Sequence, residues 1–233
     1  LLVGEQEHLD SYQQHLRQIV ASNQHQPDAS TFTAFSRPPL CATTRQLWKT
    51  STQVNFCAQA YPTVPMDHPD AAPLNVLGGF LRNGYLHRAI REQGGAYGGG
   101  AGQDNNIGAF RFFSYRDPRT TDTLADFRAS LDWLHREKHD WQAVEEAILG
   151  VISSIDKPGS PAGEAKSTFH AELHGRTREK RELFRNRVRD VKLEDLLRVA
   201  NTYLLEEQCS TAIITSADTA AKLSDLKLDV VSL

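Results

Sequence analysis

Two rhythms of apolar and polar positions divide the chain. Over residues 50–61, Val54, Phe56, Ala58 and Ala60 alternate with Asn55, Cys57 and Gln59, the period of a strand with two unlike faces. Residues 107–115 form a second strand that stops at Asp117-Pro118, preceded by the glycine-rich run 94–102. Asp104-Asn105-Asn106 between them predicts a hairpin. Short strands are also expected at 1–4 and 211–216. Elsewhere the spacing is helical. Leu9, Tyr12, Leu16, Ile19 and Val20 mark a helix over 9–20. Residues 70–92 read as a helix in one or two pieces, with Gly78, Gly79 and Gly84 as weak points. Helices follow over 123–139, 141–155 and 193–205, and a charged helical stretch over 164–191 breaks at Gly175. Residues 23–39, 62–69 and 157–163 are loops rich in proline, glycine or polar residues. Strands early and helices late predict an α+β fold, a mainly antiparallel sheet with helices packed on one face.

Length and charge narrow the function classes. The 233 residues are long enough to bury a core without disulfides or a structural metal, and residues 1–233 are expected to form one domain. A net charge of -3 argues against nucleic acid and against an anionic membrane surface as partners. No apolar run reaches membrane-spanning length and no signal-peptide pattern is present. The chain opens Leu1-Leu2-Val3-Gly4 and Met66 is its only Met, which predicts a fragment or processed product of a longer protein. Cys41, Cys57 and Cys209 are scattered, with neither a C-x-x-C pair nor a metal spacing, and read as buried or idle thiols of a reducing compartment.

Three segments invite a chemical reading. His135-Arg136-Glu137-Lys138-His139 and His170-Ala171-Glu172-Leu173-His174 each place two histidines at i, i+4. A zinc peptidase motif needs its Glu beside one of the histidines. Here the Glu is central, about 200° around a helix from either His, so no metal site is expected in this chain. The cluster Gly94-Gly95-Ala96-Tyr97-Gly98-Gly99-Gly100 lacks the Gly-Lys-Ser/Thr of a phosphate loop and runs from helix to strand, the reverse of a dinucleotide fingerprint. Its plain reading is a helix end followed by a strand that something approaches closely. Arg91 then reads as a surface cation at a helix C-terminus, and Tyr97 as an aromatic residue packed on the sheet.

The stretch from Tyr85 to Gly99, with its core Ile90-Arg91-Glu92-Gln93-Gly94-Gly95-Ala96-Tyr97, resembles the carboxy-terminal half of pitrilysin/insulinase-type peptidases. The form Gly94-Gly95-Ala96-Tyr97-Gly98, followed by Ser114-Tyr115-Arg116-Asp117-Pro118, is similar to the presequence-protease branch. So are Ile148-Leu149-Gly150-Val151-Ile152 with Asp156, the Pro-rich connection from Ser160-Pro161 to Lys166, and Leu173-His174-Gly175-Arg176-Thr177. The resemblance implies a mitochondrial-processing-peptidase-like metallohydrolase domain, the last of four in a two-halved chamber. The zinc and its H-x-x-E-H motif would belong to the amino-terminal half of the same protein. Arg91 and Tyr97 would hold the substrate backbone, beside Gly98 and Gly99, and the Tyr97 hydroxyl would stabilise the oxyanion of peptide hydrolysis. The implied partners are a peptide substrate and that amino-terminal half. The implied location is the cytoplasm, or an organellar matrix in a eukaryote.

Two functions remain in competition. One is the substrate-binding, non-zinc domain of a zinc endopeptidase, inactive by itself. The other is a non-catalytic partner or assembly subunit of the same superfamily. Retention of both Arg91 and Tyr97 favours the first. An unrelated hydrolase finds no Ser or Cys nucleophile motif.

Overall fold

The computed structural model describes residues 4–22 and 43–232. The strand expected at 1–4 falls largely outside them, as do the loop at 23–39 and Cys41. The described residues separate into two compact units. The smaller contains helix α1 (Gln6–Ser22) and the segment 157–178 with helix α5 (Pro161–Leu173). Neither helix has a buried residue.

The larger unit is built on a six-stranded sheet. Its strands are β1 (Arg45–Lys49), β2 (Asn55–Pro62), β3 (Gly98–Asp104), β4 (Ala109–Asp117), β5 (Ser210–Thr215) and β6 (Asp229–Ser232), in the order β3-β4-β2-β5-β1-β6. The pairs β3/β4, β4/β2 and β2/β5 are antiparallel, while β1 runs parallel to both β5 and β6. The expected hairpin joins β3 to β4 through a turn whose Asn106 N–H donates to Asp104 Oδ1 at 3.0 Å. Side chains alternate across the sheet. Leu47, Cys57, Phe110, Phe112 and Ile213 are buried, and Phe112 meets Phe127 of helix α3 (Thr121–Arg136) with ring centroids 5.5 Å apart. Ala58, Phe113, Tyr115 and Ile214 remain exposed on the alternate positions.

Helix α2 (Ala71–Leu81) is the centre of the core. Every residue except Asn75 and Gly79 is buried, as an all-round apolar sequence demands. Each of its buried leucines contributes about 1.5–3 kcal/mol relative to exposure. Gly78 is a contact point and not a weak one, because a Cβ there would lie 2.6 Å from the Gly102 Cα of β3. The helix continues without interruption into a π-wound stretch, Arg82–Gln93. Helices α4 (Trp141–Ile155), α6 (Arg178–Arg189) and α7 (Leu193–Tyr203) add Val144, Ile148, Phe184, Val188, Leu196 and Val199 to the same core. Gly175, at φ 64°, separates α5 from α6 as its position in the sequence predicts. A short helix α8 (Ala217–Ala221) precedes β6. No helix among the described residues is long and apolar enough to cross a membrane.

Asp70, at the N-cap of α2, makes no side-chain cap bond. Its carboxylate instead accepts from Arg198 and from the Tyr203 hydroxyl of α7, each at 2.8 Å. Burial works to raise the Asp70 pKa, but these two bonds outweigh it and the net shift is downward. A lowered folded-state pKa stabilises the fold above the unfolded-chain value, near pH 4, and that contribution is lost as pH falls through the folded value. Asp70→Asn is therefore expected to lower Tm at neutral pH, with the gap to the unsubstituted chain closing in the acid limb. Thermal melts from pH 7 down to pH 3 measure it, and a constant gap would refute the linkage.

Candidate functional site

The site residues named from sequence sit around one turn. The π-wound stretch ends at Gln93, with Arg91 in its last turn. Its terminal carbonyls are satisfied tightly: Gly95 N–H donates to Arg91 O and Ala96 N–H to Ile90 O, both at 3.1 Å. Gly95 adopts φ 79°, a conformation that favours glycine, and so reverses the chain. Tyr97 follows, one residue before β3 begins.

The underside of this turn is filled by a single neighbouring segment, 114–119. A Cβ on Gly94 would overlap the Arg119 guanidinium, and one on Gly95 would touch the Pro118 ring at 3.6 Å. Arg119 Nη2 donates to Ala89 O at 3.2 Å and to Asp126 Oδ2 at 2.9 Å, which pins the end of the helix. Asp117 is fully buried below. Its carboxylate accepts from the Arg119 N–H at 2.9 Å and the Thr123 hydroxyl at 2.8 Å, and its carbonyl accepts from Asn55 Nδ2 at 2.9 Å. Thr215 in turn donates to Asn55 Oδ1. Asn55 thus faces inward because it ties β2, β4 and β5 together at one end.

Gly98 and Gly99 were expected to leave bare backbone for a ligand. Their Cα positions are instead closely covered. A Cβ on Gly98 would meet the Tyr115 ring at 2.5 Å, and one on Gly99 would meet Phe113 O at 2.8 Å and Ile90 at 2.9 Å. Arg82 closes over Gly100 in the same way. These glycines allow the helix, the turn and β4 to pack together.

The side chains of Tyr97 and Arg91 are themselves exposed. Tyr97 is 64% exposed, and among the described residues its hydroxyl has no hydrogen-bond partner. Its backbone N–H donates to Arg116 O at 3.2 Å, and its ring meets Tyr115 edge-on at 5.6 Å. Arg91 is exposed, and its guanidinium lies 3.5 Å from His87 Nε2 without a carboxylate partner among the described residues. The nearby Glu92 pairs with His87 at 3.3 Å. The turn therefore carries two exposed donors, the neutral and unpartnered Tyr97 hydroxyl and the permanently charged Arg91, whose one contact is a long one to His87. The roles of Tyr115, Arg116, Pro118 and Arg119 were invisible in the sequence. Only the family motif marked Tyr115, Arg116 and Pro118, and nothing marked Arg119.

Other candidate chemistry dissolves in the fold. Helix α3 ends at Arg136, so His139 lies beyond it and shares no helix face with His135. The His139 ring sits 4.5 Å from Trp133 and 5.1 Å from Phe80, and its Nε2 lies 3.0 Å from Leu134 O. His174 is the C-cap of α5, outside the helix that carries His170. Neither pair fits a zinc ion. Among the described residues, the three groups close enough to share a metal are Glu5, Glu7 and His8, all exposed on or beside α1. Burial pushes the Cys57 thiol up to about 12, which keeps it protonated and unreactive.

Comparison with known proteins follows the same lines. Residues 48–217 match the family model described as the PreP C-terminal domain. The mitochondrial presequence protease of Yarrowia lipolytica is 40% identical over 169 residues, 72% of this chain and 17% of that protein. The chain thus spans about a sixth of the length of the curated relatives it matches. Among solved structures, the inactive peptidase domain from Bordetella parapertussis shares the fold with a TM-score of 0.61 at 20% identity, covering 72% of this chain and 97% of that one. Pitrilysin gives a TM-score of 0.54 at 13% identity, covering 83% of this chain and 22% of its own.

Proposed function

The chain belongs to the family of PreP C-terminal domains, among the pitrilysin-type peptidases, and on that premise we propose that it is the substrate-binding, non-zinc domain of a zinc endopeptidase. The observation that carries this reading is the exposed Tyr97 hydroxyl, without a hydrogen-bond partner among the described residues, on a turn packed from beneath whose other end carries the exposed Arg91 with no carboxylate partner among the described residues. A hydroxyl left without an internal partner, and a cation left without a carboxylate, are what an external peptide backbone requires.

Zinc and the attacking water would come from the amino-terminal half of the parent protein, since neither the His135/His139 pair nor the His170/His174 pair fits the metal. Arg91 would bind a substrate carbonyl through its forked donors. The Tyr97 hydroxyl would donate to the scissile carbonyl oxygen as negative charge develops on it. Gly98 and Gly99 would contribute through the edge strand β3 beside that carbonyl, with their Cα faces already packed. Residues 1–233 would act as one carboxy-terminal portion of the chamber. The matching relatives are mitochondrial proteins by name, so an organellar matrix is the compartment this reading favours.

The test pairs two preparations. The 233-residue chain alone is expected to leave fluorogenic peptides uncut, with or without added zinc. In the parent protein, Arg91→Ala is expected to raise KM and lower kcat, each about tenfold, as loss of a charged hydrogen bond of about 1.5–3 kcal/mol implies. A parent protein without peptidase activity, or one indifferent to Arg91→Ala, would point instead to a non-catalytic assembly subunit.

A further inference from the structure

Arg116 has a backbone conformation that its side chain makes costly. At φ 48° it is one of two non-glycine residues with positive φ among the described residues. The other, Lys227, terminates a short 3-10 turn, where the left-handed conformation is a common way for the chain to exit. Arg116 lies inside β4, one residue before the buried anchor Asp117. Glycine would meet the same backbone demand without strain.

Arg116 sits where the β2/β4 register shifts between the Asn55–Asp117 and Cys57–Ser114 pairs, and from that bulge it meets Tyr97. Its carbonyl accepts the Tyr97 N–H at 3.2 Å, which is the first bond to β4 after the Gly95 reversal. Its guanidinium carbon lies 5.6 Å from the centre of the Tyr97 ring. Tyr115, the residue before it, contacts the same ring at a 60° interplanar angle. The Tyr97 ring thus has a cation on one contact and an aromatic edge on another, while its hydroxyl is free. Glycine in place of Arg116 could keep the carbonyl bond but not the cation.

We propose that Arg116 is a positioning residue: it holds the Tyr97 ring in the orientation that presents its hydroxyl to substrate. This rests on the reading of Tyr97 as a donor to the substrate carbonyl. Arg116 touches no reacting atom in this scheme and acts only through the ring. Attraction of a cation to an aromatic face at an exposed site is worth a factor of about 2–5. That is enough to bias one ring orientation over another, which is all a positioning role needs.

The experiment has two arms. In the 233-residue chain carrying 13C-labelled tyrosine, the Tyr97 ring signals are assigned by their loss in Tyr97→Phe. Arg116→Gly is expected to shift and average these signals while leaving Tm unchanged or higher, and Arg116→Lys is expected to keep them near their original positions. In the parent peptidase, Arg116→Gly is expected to lower kcat about 2- to 5-fold with little change in KM, with Arg116→Lys recovering most of the loss. Combined with Tyr97→Phe, Arg116→Gly should cost nothing further, because the group it orients is gone. Unchanged ring signals in Arg116→Gly, or a kcat loss that adds fully to that of Tyr97→Phe, would overturn the proposal while the reading of Tyr97 stands. A parent enzyme with normal kcat after Tyr97→Phe would overturn that reading and the positioning role of Arg116 with it.

Discussion

Replacing Tyr97 by Phe in the parent peptidase is expected to lower kcat by about 10²–10³, the usual cost of one oxyanion donor, while KM stays within a few-fold. The substitution removes one oxygen atom. The ring contacts to Tyr115 and Arg116 do not depend on that atom, and the Tyr97 N–H bond to Arg116 O belongs to the backbone. Because the hydroxyl has no partner among the described residues, its loss leaves no buried group unsatisfied and Tm should not move. A neutral donor binds a ground-state carbonyl weakly and a developing oxyanion strongly, so the deficit falls on kcat. Steady-state kinetics on a quenched fluorescent peptide, with thermal melts alongside, measure both quantities. A large KM change at constant kcat would make Tyr97 a binding group only. A fall in Tm of several degrees would mean that the hydroxyl serves the fold.

The helices were the most legible part of the sequence, and the reasons are local. Helix α4 matches its predicted span because Asp140 caps it by accepting the Gln142 N–H and because Val144, Ala147 and Ile148 recur at helical spacing. The break at Gly175 was visible because glycine accommodates a positive φ at no steric cost. Strands β1 and β6 were missed for the opposite reason. Each has four or five residues, and each is fixed by parallel pairing, β1 to both β5 and β6, which leaves no local signature. The π-winding of 82–93 was hidden as well, since a period of 3.6 fits the same apolar positions. The alternation in β2 was visible in the sequence, but which row faces the core was not. The row containing Ala58 lies on the exposed side, while polar Asn55 turns inward to the buried network.

The site was half legible in the same sense. Resemblance picked out Arg91 and Tyr97, and the structure sets them at the two ends of one turn, though nothing in it assigns them a role. What stabilises that turn is 20 or so residues away in sequence and becomes its neighbour only through the β3/β4 register that sets Gly98 opposite Tyr115. No local pattern could reveal that Ser114-Tyr115-Arg116-Asp117-Pro118 is shaped to the underside of Gly94-Gly95-Ala96-Tyr97. Recurring motifs far apart in sequence can therefore be two sides of one contact.

That contact depends most on Asp117. Its replacement by Ala is expected to destabilise the chain by about 3–5 kcal/mol, because two donors aimed at a buried carboxylate, the Arg119 N–H and the Thr123 hydroxyl, would each be left unsatisfied at about 1–3 kcal/mol. Thr123 is itself fully buried, so water cannot readily replace the lost acceptor. Asp117→Asn should cost less, since the amide oxygen still accepts one bond while its NH₂ faces a donor. The Asn55 bond, which goes to the Asp117 carbonyl, survives in both variants and limits the damage to the turn side of the network. Urea titration of the three chains gives the order directly: unsubstituted most stable, Asn intermediate, Ala least. In the parent peptidase the Asn variant should also lose kcat, because Arg119, released from the 117–119 turn, no longer fixes the carbonyl end of the helix beneath Gly94. An Ala variant within about 1 kcal/mol of the unsubstituted chain would show that the buried carboxylate is dispensable, and that the packing of glycines against Pro118 and Tyr115 suffices to hold the turn.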